Sequence, residues 1–390
     1  MKKVCEREIT ITTTVGKVRV RGTCGRDPAT GQWVSPIRAW WGLGPHETIS
    51  PVLAENLCYT ATRTLSYEGA ADVAAKWGSP VDDSGIHRHV QEAGARAMAL
   101  EEERVERALA VDTRGDVVAE AARDLAPGEF SLVIMMDGTM LREREEDWGL
   151  KPAEIKANRV GWHDLKVGII YRLEARAETQ SGRGILLEKF FVTYRGDPSE
   201  FGRRLYAEAM RRGLFQAKKT YVVADGGVWI WNIKKDRFSD ATGGLDFFHA
   251  SQHLWAVAND YFGEGSDKAR AWVEPLLHEL KHGGEAGVLQ SVDDLLNLCE
   301  DAHSAARETL QREAKYFQGH KDDIHYEQLA SEGCPIGSGA VESACSQMQD
   351  RFKRTGQFWT LAGEQRLMAL DVARRNHDWD EIWELTAPQC

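Results

Sequence analysis

Three carboxylates stand apart in this sequence because of what precedes them. Asp137 follows the continuous apolar run Leu132-Val133-Ile134-Met135-Met136. Asp225 follows a shorter run, Thr220 to Ala224, and Glu342 falls just after the breaker-rich loop Gly333-Cys334-Pro335-Ile336-Gly337-Ser338-Gly339. Continuous apolar runs bounded by turn residues read as buried strands, so both aspartates are expected at strand ends. The glycine-rich loop reads as the lead into a helix from about Ala340 to about Arg354, with Glu342 in its first turn. Carboxylates without thiolates or an imidazole cage suit hard cations such as Mg2+ or Mn2+. Two such ions about 4 Å apart activate an attacking oxygen and stabilise the leaving oxygen of a phosphodiester in an in-line displacement, with no protein nucleophile. Taken singly, each residue has a plainer reading: an Asp before Gly makes a turn, and a Glu in a first helical turn complements the dipole.

A second pattern offers different chemistry. His278-Glu279-Leu280-Lys281-His282 fits His-Glu-x-x-His, which on a helix sets two imidazoles on one face to bind zinc, with Glu as general base. Three features count against a zinc peptidase: Lys281 is a cation within the motif, Gly283-Gly284 should end the helix at once, and no third His stands at metzincin spacing. Glu300 or Glu308 would have to supply the third ligand. The plain reading is surface histidines on a helix. His249 and His253 are also four apart, with Asp246 three residues before the first.

The two aspartates can share a site only if their strands are neighbours. Between them lie strand patterns at Leu165 to Ala175 and Ile185 to Tyr194, then an amphipathic helix from about Ser199 to Arg212. Three strands, a helical crossover and a fourth strand describe an α/β sheet in which the first and fourth can lie side by side. From His249 to about Leu329 the sequence is helical and acidic, an insertion between that sheet and the Glu342 helix. Upstream, residues 9 to 42 alternate β-branched and polar residues and read as a small β region. Helical patterns follow at Thr48 to Arg63, Tyr67 to Trp77 and Ser84 to Ala93. The last two flank Gly78-Ser79-Pro80 like a helix-turn-helix, which would bring Ser84, His87, Arg88 and Gln91 to DNA; an ordinary helical hairpin is the alternative. The run Glu101-Glu102-Glu103-Arg104-Val105-Glu106-Arg107 reads as the start of a linker helix ending near Pro127. The expected organisation is a β-rich element at 1–47, a helical region at 48–128, a catalytic core at 129–248 and 331–390, and a helical insertion at 249–330.

With 390 residues the chain is long enough for two or three such domains. Its apolar runs fall far short of the roughly 20 residues that cross a bilayer, and the start MKKVCEREITITTTV has no signal-peptide core, so a cytoplasmic protein is expected. Seven cysteines without a Cys-x-x-Cys pair argue for reduced thiols over disulfides or structural zinc. A net charge of −11 argues against a surface that grips nucleic acid all over. Residues 264 to 327 carry 14 acidic and 7 basic side chains, whereas residues 202 to 219 carry 6 basic and 1 acidic, so a polyanion must be held locally or both patches are solvated helix faces.

The segments IMMDGT (134 to 139), VVADGG (222 to 227) and GSGAVESACSQMQDRFKRTGQFW (337 to 359) resemble the three acidic motifs of bacterial insertion-sequence DDE transposases, most closely the ISKra type, related to the wider Mutator-like group. RFKRTGQFWT, followed by an amphipathic helix and NHDWDEIW, is similar to that family's C-terminal signature. The resemblance covers about residues 9 to 385. It implies an RNase H-like core with a helical insertion and assigns Asp137, Asp225 and Glu342 as metal-binding catalytic residues. Asp246-Phe247-Phe248-His249 matches the family's (Cys or Asp)-x-x-His motif, making Asp246 and His249 auxiliary site residues. Family members commonly carry a cysteine-rich element near the N-terminus, of which only Thr23-Cys24-Gly25 is recognisable here.

On this reading two ions, Mg2+ or Mn2+, serve hydrolysis at element ends and then strand transfer, with water and next the DNA 3′-hydroxyl as nucleophile. The implied partners are double-stranded DNA, as terminal repeats and target, and further copies of the chain in a dimer or larger assembly, located at the nucleoid when bound to DNA. Arg351, Lys353 and Arg354, on the predicted Glu342 helix, suit DNA phosphates, although a basic helix end also complements the dipole. Trp272 and Trp359 are candidates for stacking on an unpaired base. The alternatives are the zinc peptidase of His278, Glu279 and His282, and a transposase-derived DNA-binding protein without catalysis.

Overall fold

Alternation of β-branched and polar residues near the start produces a hairpin, β1 (Lys2–Thr13) and β2 (Gly16–Arg26), paired antiparallel with Ile9 opposite Val20 and Ile11 opposite Val18. Gly16 turns the chain at φ 98°, a left-handed value that glycine adopts without steric cost. The short β3 (Trp33–Val34) completes a three-stranded sheet. The computed structural model describes residues 2–44, 46–125, 127–154, 157–181, 184–299 and 305–384; Glu300 and Cys390 lie outside them. Contacts divide the chain into two units: Met1–Arg104 with Leu141–His163 and Gln347–Cys390, and Val105–Met140 with Asp164–Ser346. This differs from the four-part organisation expected from sequence, because the helical segment after residue 249 groups with the sheet, and the C-terminal tail with the amino-terminal elements.

In the first unit the hairpin is followed by α1 (Pro36–Trp40), α2 (Pro51–Arg63), α3 (Tyr67–Lys76) and α4 (Asp83–Leu109). Ser50 caps α2 by accepting from the Leu53 N–H, and Ser66 caps α3 by accepting from Gly69. The expected short helix at Ser84 to Ala93 instead runs for 27 residues and absorbs the Glu101 to Arg107 run near its C-terminal end. Alanine, glutamate and arginine sustain it, and the glycine near its middle, Gly94, has a packing reason. A Cβ there would stand 2.3 Å from the Arg366 carbonyl oxygen, so only glycine admits the approach.

The second unit starts at Val105, in the last turns of α4, goes on to α5 (Arg114–Asp124) and holds most of a mixed sheet. Its strands are β4 (Ser131–Arg144), β5 (Val160–Arg172), β8 (Phe190–Arg195), β9 (Lys219–Ala224) and β10 (Thr242–Leu245), with a separate two-stranded ribbon of β6 (Arg176–Glu178) and β7 (Gly184–Leu186) before β8. The order is β10-β9-β4-β5-β8; β10 and β4 both run parallel to β9, and β8 runs antiparallel to β5. Leu132 to Met136 are fully buried, which is why they read as a run without alternation. Leu132, Ile134 and Met136 pack with Val222, Ala224 and, from α6 (Pro198–Arg211), Phe201 and Leu205. Each such side chain contributes about 1.5–3 kcal/mol on burial. The strand β4 does not end at Asp137 as expected: beyond it the alternating buried residues Thr139, Leu141 and Glu143 carry it to Arg144.

The six cations of residues 202 to 219 do not form a free basic patch. Arg203 and Arg204 pair with Glu200, Arg211 and Arg212 with Glu208, Lys218 with Glu174, and Lys219 with Glu332.

After β9 come α7 (Val228–Arg237) and β10, then a helical stretch of α8 (Phe247–Phe262), α9 (Asp267–Lys281), α10 (Glu285–Leu298), α11 (Ala305–His320) and α12 (Tyr326–Ser331). Its core joins Leu254, Val273, Leu280, Val288 and Phe317. The next helix, α13 (Gly339–Phe352), stops two residues short of the expected end at Arg354; α14 (Leu361–Arg375) and α15 (Trp379–Glu384) complete the first unit. No described helix is long and apolar enough to cross a membrane.

Candidate metal centre

Parallel pairing of β4 with β9 ends at Met136 opposite Ala224, so Asp137, inside β4, and Asp225, just past β9, follow that last pair at the same level. Each carboxylate is held locally. Asp137 accepts from the Gly138 N–H at 2.7 Å, and Asp225 Oδ1 accepts from the Gly227 N–H at 2.9 Å. The Trp231 indole donates to the Asp225 carbonyl at 2.8 Å, tying α7 to the strand end.

Asp246 arrives through β10, whose last residue pairs with Ala224, and its own N–H donates to the Ala224 carbonyl at 2.7 Å. Its side chain is fully buried and caps α8 by accepting from the His249 N–H at 2.8 Å. Its other oxygen accepts from the Ser338 N–H and, at 2.7 Å, from the Ser338 hydroxyl. Ser338 Oγ also stands 2.9 Å from Glu342 Oε1, one helical turn into α13. A serine hydroxyl has one proton, so it donates to one of these two carboxylates at a time.

Ligand atoms of Asp246, His249 and Glu342 all lie within 4.8 Å of one another, the one such three-ligand group among the described residues. Burial raises the Asp137 carboxyl above its usual range, and the negative charges of Asp225 and Glu342 push the same way against hydrogen bonds from Gly138 and the Cys345 thiol. Five expected site residues therefore converge: Asp137 and Asp225 on adjacent strands, Glu342 within electrostatic reach of Asp137, and Asp246 with His249 beside Glu342. Oxygen-rich donors with a single imidazole fit a hard divalent cation better than a structural zinc.

Sequence reasoning did not single out Ser338 or Cys345. Ser338 sits in the N-cap position before Glu342, a local signal that was readable; the thiol contact with Asp137 has none. Burial pushes the Cys345 thiol up, so it stays protonated and donates.

The His278 and His282 rings lie 4.6 Å apart, but both residues are exposed, His282 already closes α9, and neither belongs to a three-ligand group among the described residues. Glu308 does not join them, and Glu300 lies outside the described residues.

The residues expected at DNA are placed unequally. Arg88, Ser84 and His87 are exposed on α4, whereas Gln91 is half-buried and accepts from Arg366 at 3.4 Å. Lys353 and Arg354 lie just past the end of α13, Lys353 half-buried over the Trp162 ring and Arg354 exposed. Arg351 departs from the expectation: it is 6% exposed, with its guanidinium over the rings of Tyr67 at 5.5 Å and Trp359 at 5.1 Å. Trp359 packs on Phe352 and donates to the Phe352 carbonyl, while Trp272 packs against Phe262.

No protein-family model matches the chain, and no curated protein does. Among solved structures it is similar to the Drosophila P element transposase strand transfer complex, with a TM-score of 0.34 and 10% identity over 87% of this chain and 95% of that one.

Proposed function

We propose that this protein is a metal-dependent transposase of the DDE type that cleaves phosphodiesters at element ends and joins the freed 3′-hydroxyl to target DNA. The observation that carries this reading is the convergence of Asp137, Asp225, Asp246, His249 and Glu342 from four separate chain segments at one end of a mixed sheet. The strand order β10-β9-β4-β5-β8, with Asp137 inside β4, Asp225 just after β9 and a helical segment before α13, supports an RNase H-like core.

Asp137, Asp225 and Glu342 would hold two Mg2+ or Mn2+ ions, with Asp246 and His249 as auxiliary residues. When bound, such ions lower the pKa of an attacking water or hydroxyl and neutralise charge on the leaving oxygen. The protein's own part is to keep the carboxylates converged. Ser338 fixes Asp246 and Glu342 relative to each other, and Cys345 and Gly138 hold Asp137. Lys353, Arg354 and Arg88 are the proposed phosphate contacts, and pairing two DNA ends calls for a dimer or larger assembly.

The test is nicking of supercoiled plasmid in Mg2+ or Mn2+ by wild type, Asp137→Ala, Glu342→Ala and His278→Ala. Loss in the two carboxylate variants alone is expected. Wild-type-like nicking by Asp137→Ala would sink the assignment, and peptidase activity lost in His278→Ala would replace it with the zinc reading.

A further inference from the structure

Past Asp137 the extension of β4 alternates: Thr139, Leu141 and Glu143 are buried, so Arg142 and Arg144 share the other side of the strand. The Arg144 N–H donates to the Trp359 carbonyl at 2.7 Å and the Trp359 N–H to the Arg142 carbonyl at 3.2 Å, which joins this extension to the segment before α14. The same segment fixes both guanidiniums, Arg142 donating to the Arg354 carbonyl and Arg144 to the Phe358 carbonyl at 3.0 Å. A neutral carbonyl holds a guanidinium in place without cancelling its charge. Among the described residues, Arg142, Arg144, Lys353 and Arg354 make no ion pair, in contrast to the six cations of residues 202 to 219. Of the acidic residues that follow Arg144, Glu145 is taken by His163 at 2.7 Å and Asp147 by the Ala157 N–H, while Glu146 is exposed.

Aromatic rings are interleaved with these cations. Arg142 stands 5.5 Å from the centre of the Trp162 ring and 5.1 Å from that of Phe358, Lys353 stands 5.3 Å from Trp162, and Arg144 4.8 Å from Trp148. Trp148 and Phe358 pack with ring centres 5.3 Å apart. Even so, Trp162 stays 54% exposed and Trp148 39%. All of these residues lie in the first unit, as does His87, exposed on α4 and close enough to Arg144 for the guanidinium to add to burial in lowering its pKa. An exposed indole among cations without carboxylate partners offers a flat face for a base and positive charge for the phosphates beside it. Bases in a duplex have their faces covered by their neighbours, so an indole stacks on them only where the strand is unpaired.

Resting on the transposase reading for the choice of DNA, we propose that Trp148 and Trp162, with Arg142, Arg144 and Lys353, form a binding surface for an unpaired DNA strand. Its bases stack on the two indoles and its phosphates take the three cations.

The experiment is an anisotropy titration, in EDTA so that nothing is cleaved, of a labelled mixed-sequence oligonucleotide as a single strand and as its duplex. Trp162→Ala is expected to lose about fivefold to 150-fold in affinity for the single strand, the range for one stacked base, with duplex affinity within about twofold of wild type. Trp162→Phe, which keeps a ring, is expected to bind as wild type does. Arg144→Gln is expected to make the slope of log affinity for the single strand against log salt shallower by about 0.7. Single-strand affinity unchanged in Trp162→Ala, an equal loss on strand and duplex, or a loss in Trp162→Phe as large as in Trp162→Ala overturns the proposal, as does a wild type that does not bind the single strand. If Trp162→Ala does not fold, Trp148→Ala decides by the same outcomes. Selective loss in Trp162→Ala from a protein that never nicks plasmid upholds this surface and overturns the transposase reading, whereas a protein that nicks and binds the single strand equally well with and without the Trp162 indole does the reverse.

Discussion

The Ser338 hydroxyl donates to the carboxylate of Asp246, 2.7 Å away and 92 residues earlier in the chain. This bond fastens the loop before α13 to the start of α8, and it brings Glu342 to Asp246 and His249. Ser338→Ala removes one of the donors to a fully buried carboxylate. The expected loss is about 1–3 kcal/mol of stability in urea unfolding, together with roughly 10–100-fold weaker Mn2+ binding by calorimetry. Unchanged Mn2+ affinity would separate Ser338 from the metal centre.

Gly226 admits the Tyr316 ring over the strand end that carries Asp225, and a methyl group there meets ring atoms rather than a flexible side-chain end. Gly226→Ala is expected to cost about 1–3 kcal/mol, the range for overpacking. Because the displaced ring borders the turn that carries Asp225, nicking of supercoiled plasmid should fall as well. A variant with full activity and full stability would contradict the packing described.

Arg351 is a packing residue in this structure. Arg351→Ala should lower stability by taking the guanidinium away from the Tyr67 and Trp359 rings, each cation–π pair contributing about 0.5–2 kcal/mol, without changing the salt dependence of DNA binding. For Lys353→Ala and Arg354→Ala the reverse is expected, a slope of log affinity against log salt shallower by about 0.9 for each phosphate that is no longer neutralised. Anisotropy titrations at several salt concentrations separate the two cases.

Glu208 gives a pH dependence with a definite sign. Burial raises its pKa, but Arg211 and Arg212 outweigh that and hold it at about 2, below the ordinary glutamate value of 4.5. A depressed folded-state pKa means that the contribution is complete above about pH 4.5 and is lost as pH falls toward 2. Its size is on the order of 3 kcal/mol. Glu208→Gln should therefore be less stable than wild type at about pH 7, with the gap closing as the pH approaches 2 in denaturant titrations. A gap independent of pH would sink the assignment to this pair.

Much of the scaffold was legible because local sequence reports burial directly. The run Leu132 to Met136 could only be a buried strand, and the glycine-rich loop before Ala340 could only open a helix. These two signals, with the run before Asp225, were enough to single out three carboxylates. Where the sequence misled, two local signals competed. Asp137-Gly138 reads as a strand end, yet Thr139, Leu141 and Glu143 alternate inward and keep β4 going.

What the sequence by itself determined was which residues could do chemistry and which elements carry them, since apolar periodicity and breakers act over a few residues. Only the tertiary structure decided which of those residues meet. Asp246 reaches Ser338 because β10 pairs with β9 and α13 returns to the same strand ends, a relation across 92 residues that no local pattern encodes. His253 finds Glu313 only because α8 and α11 pack together, 60 residues apart. An arginine near a helix end looks the same in sequence whether it faces water or aromatic rings, and the packing of Tyr67 and Trp359 put Arg351 among the rings.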